Sequence, residues 1–174
     1  MNTGSAQKTI AKARTSFLCL LLAFVVVGCG FQLRGQQTLP FSSIAILGSP
    51  TYVTIAQLNQ TVATISSTQI VNNLADADAA LYVMSENREK VISALSAAGR
   101  VREYELRLRV AFQLIDKKGE ELIRPTEIML FRLLPYDESQ VLSKGEEEAL
   151  LYRDMQSDIA AQIMRRVAAA KPNP

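Results

Sequence analysis

Between Glu103 and Leu114 the sequence EYELRLRVAFQL puts Tyr104, Leu106, Leu108, Val110, Phe112 and Leu114 at every second position. The positions between them, Glu103, Glu105, Arg107, Arg109 and Gln113, are polar, with Ala111 the exception. Only a β-strand brings every second residue to the same face, so this segment lies in a sheet with one face on a core and one face wet. Asp116-Lys117-Lys118-Gly119 then supplies a turn with glycine for positive φ. Leu122 to Leu134 reads as the hairpin partner, with Pro125 confined to an edge or a bulge. Ser93 to Arg100 (SALSAAGR) is the corresponding turn before the alternating strand, and a long strand over Leu81 to Ile92 precedes it, after Asp76 and Asp78.

The flanking segments complete the architecture. Ser42 to Leu47 (SSIAIL) reads as a short buried strand closed by Gly48. Ser49-Pro50 has the chemistry of an N-cap and first helical position, followed by Thr51, Ile55, Leu58 and Val62 on one helical face. Ser66 to Asn73 (SSTQIVNN) is polar around Ile70-Val71 and fits an edge strand or a loop. Ser143-Lys144-Gly145-Glu146 matches a capping box, with Glu147 and Glu148 adding negative charge to the first turn. Leu151, Met155, Ile159, Ile163 and Val167 then form an i, i+4 stripe, the mark of an amphipathic helix lying on a sheet. The expected fold is α+β: a two-layer sandwich with two helices packed on one face of a mostly antiparallel four-stranded sheet.

Composition removes much chemistry. The 174 residues contain no histidine and two cysteines, so a Ser-His-Asp triad, a Cys-His dyad, a His-ligated zinc and a histidine general base are all impossible. A net charge of +2 is too small for a dedicated nucleic-acid binder. No phosphate-binding loop or dinucleotide fingerprint exists, and no cofactor or metal is implied.

The amino-terminal segment carries a targeting signal. Met1 to Ser16 is polar with Lys8, Lys12 and Arg14 as its charges, and Phe17 to Val27 (FLCLLLAFVVV) is an unbroken apolar run. Eleven helical residues rise only about 17 Å, short of a hydrocarbon core of ~30 Å, so the run reads as a secretory signal peptide. Val26-Val27-Gly28-Cys29 resembles the lipobox of bacterial lipoproteins, with Val26 where leucine is usual. The resemblance implies cleavage after residue 28 and lipidation of Cys29, and Gly30, where inner-membrane lipoproteins carry Asp, implies the outer membrane, facing the periplasm. Removing residues 1–28 takes away three of the 19 basic residues and none of the 17 acidic ones, leaving 146 residues with a net charge of −1. The remaining cysteine carries lipid and does no redox work. The expected organisation is therefore a cleaved signal peptide over 1–28, a lipidated tether over 29–41, a single α+β domain over 42–168 and a frayed tail over 169–174.

Candidate sites are few. Glu103 and Glu105 alternate with Arg107 and Arg109 along one strand face, which reads as cross-strand ion pairing rather than a pair of catalytic carboxylates. Lys144 and Arg100 differ, because each stands at the end of an expected element, where an exposed cation meets an anionic partner such as a phosphorylated lipid. A cation in the first turn of a helix is mildly unfavourable, which argues that Lys144 is retained for another reason.

Cys29-Gly30-Phe31-Gln32-Leu33-Arg34-Gly35, Arg102-Glu103-Tyr104-Glu105-Leu106, Phe131-Arg132 and Val141-Leu142-Ser143-Lys144 leading to Asp154-Met155 follow one another in an order that resembles the LptE family of lipopolysaccharide-assembly lipoproteins. The likeness runs from Cys29 to about Val167. It implies a non-catalytic plug inside the LptD outer-membrane β-barrel that supports assembly of that barrel and binds lipopolysaccharide during its transport. It implies that Lys144 is a lipid-contacting residue; the family's second basic position falls at Ala97, with Arg100 three residues further on. Two other readings stay open on the residues alone: a lipoprotein subunit of another envelope machine, for barrel assembly or lipid carriage, and an anchored carboxylate hydrolase.

Overall fold

A computed structural model describes residues 39–171, apart from residues 50 and 66. The expected signal peptide, Cys29, most of the tether and Pro50 lie outside the described residues. In chain order the elements are β1 (Ser43–Gly48), α1 (Val53–Ile65), β2 (Gln69–Val71), a 3-10 turn (Leu74–Asp76), β3 (Ala79–Leu95), β4 (Val101–Asp116), β5 (Glu121–Pro135), a second 3-10 turn (Glu138–Gln140) and α2 (Val141–Ala169). No helix among them is long and apolar enough to cross a membrane.

The strands form one sheet in the order β2-β1-β3-β4-β5. Five strands replace the expected four; the sheet is mixed, with the long pairings antiparallel as expected and the short pairings of β1 parallel. β1 pairs in parallel with both β2 and β3, while β3-β4 and β4-β5 are antiparallel. The physical reason lies in the connections. Parallel neighbours need a crossover, which α1 supplies between β1 and β2, whereas the turns at Ser96–Arg100 and Lys117–Glu120 are short enough only for hairpins. β2 realises the edge-strand alternative for Ser66 to Asn73; three residues, QIV, with two exposed and Val71 half-buried, leave no periodicity that separates strand from loop.

The alternation in β4 places its residues as expected. Leu106, Leu108, Val110, Phe112 and Leu114 are fully buried beneath the helices. Each such burial contributes roughly 1.5–3 kcal/mol. They meet Leu58 and Val62 of α1 and Met155, Ile159, Ile163, Met164 and Val167 of α2 in one continuous core. Gly119 has φ 84° in the β4–β5 turn, and Asp116 caps that turn by accepting from the N–H groups of Lys118 and Glu120, each at 2.8 Å. Pro125 lies in a bulge of the edge strand β5, where Thr126 faces Phe112 but Ile123 faces Leu114.

Two helix starts differ from expectation. α1 begins at Val53, beyond Ser49 and Thr51. α2 begins at Val141, so Ser143 is inside the helix, and its hydroxyl donates back to the carbonyl of Gln140 at 3.0 Å instead of capping. Gln140 stands at the N-cap of α2 with no side-chain cap, and Asp137 instead caps the preceding 3-10 turn, its carboxylate accepting from the N–H of Ser139 at 2.9 Å.

On the face away from the helices, Ala45, Ala77 and Ala80 form a second small cluster with Leu47, Val71, Leu74, Tyr82 and Ile115 packed against it. Asp78 ties this end together, its carboxylate accepting from the N–H groups of Ser42 and Ser43, each at 3.0 Å.

Candidate functional site

The β3–β4 hairpin and the end of β5 form the distal end of the sheet. Three basic side chains gather there. Arg100 sits in the exposed hairpin turn, whose shape is set by Gly99 at φ 72° and by the carbonyl of Arg100 accepting from the N–H of Ser96 at 2.7 Å. Ser96 returns its hydroxyl to the N–H of Arg100 at 3.1 Å, so the turn is internally satisfied and presents the guanidinium outward. Arg102 follows at the start of β4, its carbonyl accepting from the N–H of Tyr136 at 2.9 Å. Arg100 and Arg102 line an open concavity of about 470 Å³ whose opposite wall includes Pro135, Tyr136 and Asp137.

Lys144 approaches the same aspartate from the first turn of α2. Its side chain is only 16% exposed, and its ammonium pairs with Glu147 at 2.7 Å. The carboxyl of Asp137 is held below the usual carboxylate range, first by the N–H of Ser139, then by the Ser139 hydroxyl, and further by the positive charges of Arg102 and Lys144. Asp137 is therefore the ionised centre of a basic end. The aromatic pair Tyr104 and Tyr136, edge to face at 5.1 Å, backs it, and Lys90 lies over the Tyr104 ring at 4.4 Å. An arrangement of this kind can offer phosphate oxygens Arg100 and Arg102 beside an aromatic wall, while Lys90 and Lys144 are paired with Glu148 and Glu147.

Sequence reasoning had singled out Lys144 and Arg100 as exposed cations; Arg100 is exposed, whereas the Lys144 side chain is mostly covered and paired with Glu147. It missed Asp137 and gave Arg102 no role. The signal for Asp137 was present in Asp137-Glu138-Ser139, a side chain that can turn back on its own backbone two residues on, but the stronger-looking Ser143 pattern masked it. Cys29 lies outside the described residues.

Arg107 pairs with Glu105, which raises its pKa through that hydrogen bond, and Glu89 stands 3.9 Å from Arg107 and 3.5 Å from Arg109. The two Glu89 contacts are the cross-strand ion pairs that the alternation implied, whereas the Arg107–Glu105 pair lies within β4. Among the described residues no group of three or more acidic, histidine or cysteine side chains is arranged to hold a metal.

Comparison with known proteins points one way. The chain is 24% identical over 150 residues to the LPS-assembly lipoprotein LptE of Pectobacterium atrosepticum, covering 84% of this chain and 80% of that one. It is 26% identical over 160 residues to the LPS-assembly lipoprotein LptE of Yersinia enterocolitica, covering 88% and 76%. The solution NMR structure of lipoprotein B from Nitrosomonas europaea is 39% identical, covers 80% of this chain and 91% of its own, and superimposes with a TM-score of 0.71. Residues 44–167 match the family described as LptE, lipopolysaccharide-assembly, which spans β1, α1, the three long strands and nearly all of α2. The chain therefore belongs to the LptE family of lipopolysaccharide-assembly lipoproteins.

Proposed function

We propose that this protein is a lipid-anchored, non-catalytic subunit of the outer membrane. In this reading it plugs and supports the LptD β-barrel, and its distal end receives the phosphates of lipopolysaccharide as the lipid passes to the outer leaflet. Family membership supports the role in lipopolysaccharide assembly. The observation that carries the lipid-binding part is the convergence of Arg100, Arg102 and Lys144 on the concavity and cap around Asp137.

The chemistry suits a polyanionic headgroup. Arginine offers a planar fork of donors to phosphate oxygens, and lysine a compact charge. Lys144 also stands in the first turn of α2, where a cation opposes the helix dipole by a few tenths of a kcal/mol. Its pairing with Glu147 offsets that cost, and its charge also acts on Asp137.

The test is isolation of the full chain, in detergent, from the membranes that contain it. A β-barrel recovered near one-to-one, with lipopolysaccharide in the complex, supports the reading. Recovery without a barrel, or with a different set of envelope proteins, overturns it in favour of another envelope machine. Failure of Cys29→Ser to block fatty-acid labelling would remove the lipid anchor from the account.

A further inference from the structure

Two cations at the distal end of the sheet are already held by carboxylates. Lys90 donates to Glu148 at 2.6 Å and Lys144 donates to Glu147 at 2.7 Å, so the two acceptors are consecutive residues of α2. Both lysines border the concavity. Lys90 lies over the ring of Tyr104, which meets Tyr136 on the concavity wall, and the charge of Lys144 acts on Asp137 in the same wall. Arg100 and Arg102 line the concavity itself, and among the described residues neither forms an ion pair. Two open guanidiniums therefore stand beside two covered ammonium groups.

The part of α2 that supplies the carboxylates lies clear of the core. No residue from Val141 to Leu150 is buried, and burial in the helix begins at Tyr152. Gln140 provides no side-chain cap, and Gly145 weakens the second turn. Partly exposed pairs such as these are weak, each worth at most about fivefold in an equilibrium constant. A phosphate monoester carries about −1.5 to −2 charges at neutral pH, against −1 for a carboxylate, and presents three acceptor oxygens. It displaces a carboxylate from an ammonium group at little cost.

We infer that Glu147 and Glu148 are resident competitors for the phosphates of the lipid: they hold Lys144 and Lys90 in the empty protein, and an arriving headgroup takes the two lysines over. Arg100 and Arg102 make the first contact, and the lysines join by exchange of carboxylate for phosphate. A site that hands its lipid onward needs release as much as capture, and carboxylates poised beside the lysines reverse the exchange. This assignment rests on the lipid-binding reading above and adds to it a built-in restraint on affinity.

Lipopolysaccharide binding to the full chain in detergent, at fixed salt, tests the competition. Glu147→Gln/Glu148→Gln keeps both side-chain lengths, frees both lysines and binds several-fold tighter than the parent. Glu146→Gln measures the long-range effect of losing one acidic charge, because Glu146 lines a separate groove with Val53, Arg88 and Arg153 and among the described residues forms no ion pair. Twice its free-energy gain is the background for losing two charges, and the double variant exceeds it. In a Lys90→Met/Lys144→Met background the same two glutamine substitutions give only that background. Circular dichroism checks that each variant is folded. A gain at background level, or an equal gain without the lysines, overturns the competition while binding by the parent leaves the lipid-binding reading in place. A parent chain that binds no lipopolysaccharide overturns both.

Discussion

The carboxylate of Glu86, on β3, accepts a hydrogen bond of 2.9 Å from the backbone N–H of Thr54 in the first turn of α1. Its other oxygen accepts from the side-chain amide of Gln156 on α2 at 2.9 Å and lies 3.5 Å from Arg88. One side chain, 5% exposed, thus caps one helix from the sheet and holds the second. A bulge makes this possible. Val83 faces Phe112 but Ser85 faces Ala111, so the residue at Met84 is extra and Glu86 is turned onto the helix face.

Replacing Glu86 with alanine leaves the Thr54 N–H and the Gln156 amide without a partner in a nearly dry site. A loss of about 2 kcal/mol follows, read as a lower urea midpoint with an unchanged slope. Glu86→Gln retains an acceptor and loses less. Equal stability of Glu86→Ala and the parent chain would show that neither helix depends on this tie.

Thr54 itself supplies an opposite expectation. Its side chain is fully buried, and the hydroxyl oxygen has no hydrogen-bond partner. Thr54→Val keeps the shape, the β-branch and the backbone N–H to Glu86 while removing the desolvated hydroxyl. A gain of up to about 1 kcal/mol is expected in the same urea titration. A loss of stability would mean that the hydroxyl is satisfied in solution.

Asp137 predicts a pH dependence. Its folded pKa lies below the ordinary value, through the N–H and hydroxyl of Ser139 and then the charges of Arg102 and Lys144. A depressed carboxyl stabilises the fold above its unfolded pKa, and that stabilisation disappears as pH falls through the folded value. The parent chain should therefore exceed Asp137→Asn in stability at neutral pH, with the difference closing in acid below the usual carboxylate range. In an NMR titration the Asp137 midpoint lies below the ordinary value and moves upward in Lys144→Met. A midpoint indifferent to Lys144 would separate the lysine from the site.

How much of this was legible depended on whether a residue's role was local. The β4 alternation, the α2 stripe and the Asp116–Gly119 turn follow from period and turn chemistry within a few residues, and each was readable. β2 was readable only as an edge strand or a loop, because a parallel edge strand of three residues is defined by its neighbour β1 rather than by its own pattern. The Glu86 tie was hidden for a similar reason: a one-residue bulge reverses which side of β3 faces the core, and the sequence SENREK carries no mark of it. Lys144 and Arg100 were readable as cations at element ends, but their meeting around Asp137 depends on where α2 starts, which the Ser143 pattern misplaced.

Lipopolysaccharide binding by the full chain in detergent, compared between the parent, Lys144→Asp and the double variant Lys144→Asp/Arg100→Asp, tests the central claim most directly. Each exposed contact is worth roughly 1 kcal/mol, so a several-fold loss is expected for the single variant and a further loss for the double. Added salt should weaken the parent in the same direction. Lys144→Asp removes the ion pair with Glu147 and sets a negative charge near Glu147 and Asp137, so thermal stability should fall somewhat, and an unchanged circular dichroism spectrum checks that the variant is folded while binding falls. Unchanged affinity in a folded double variant would contradict the account and place the lipid elsewhere on the protein.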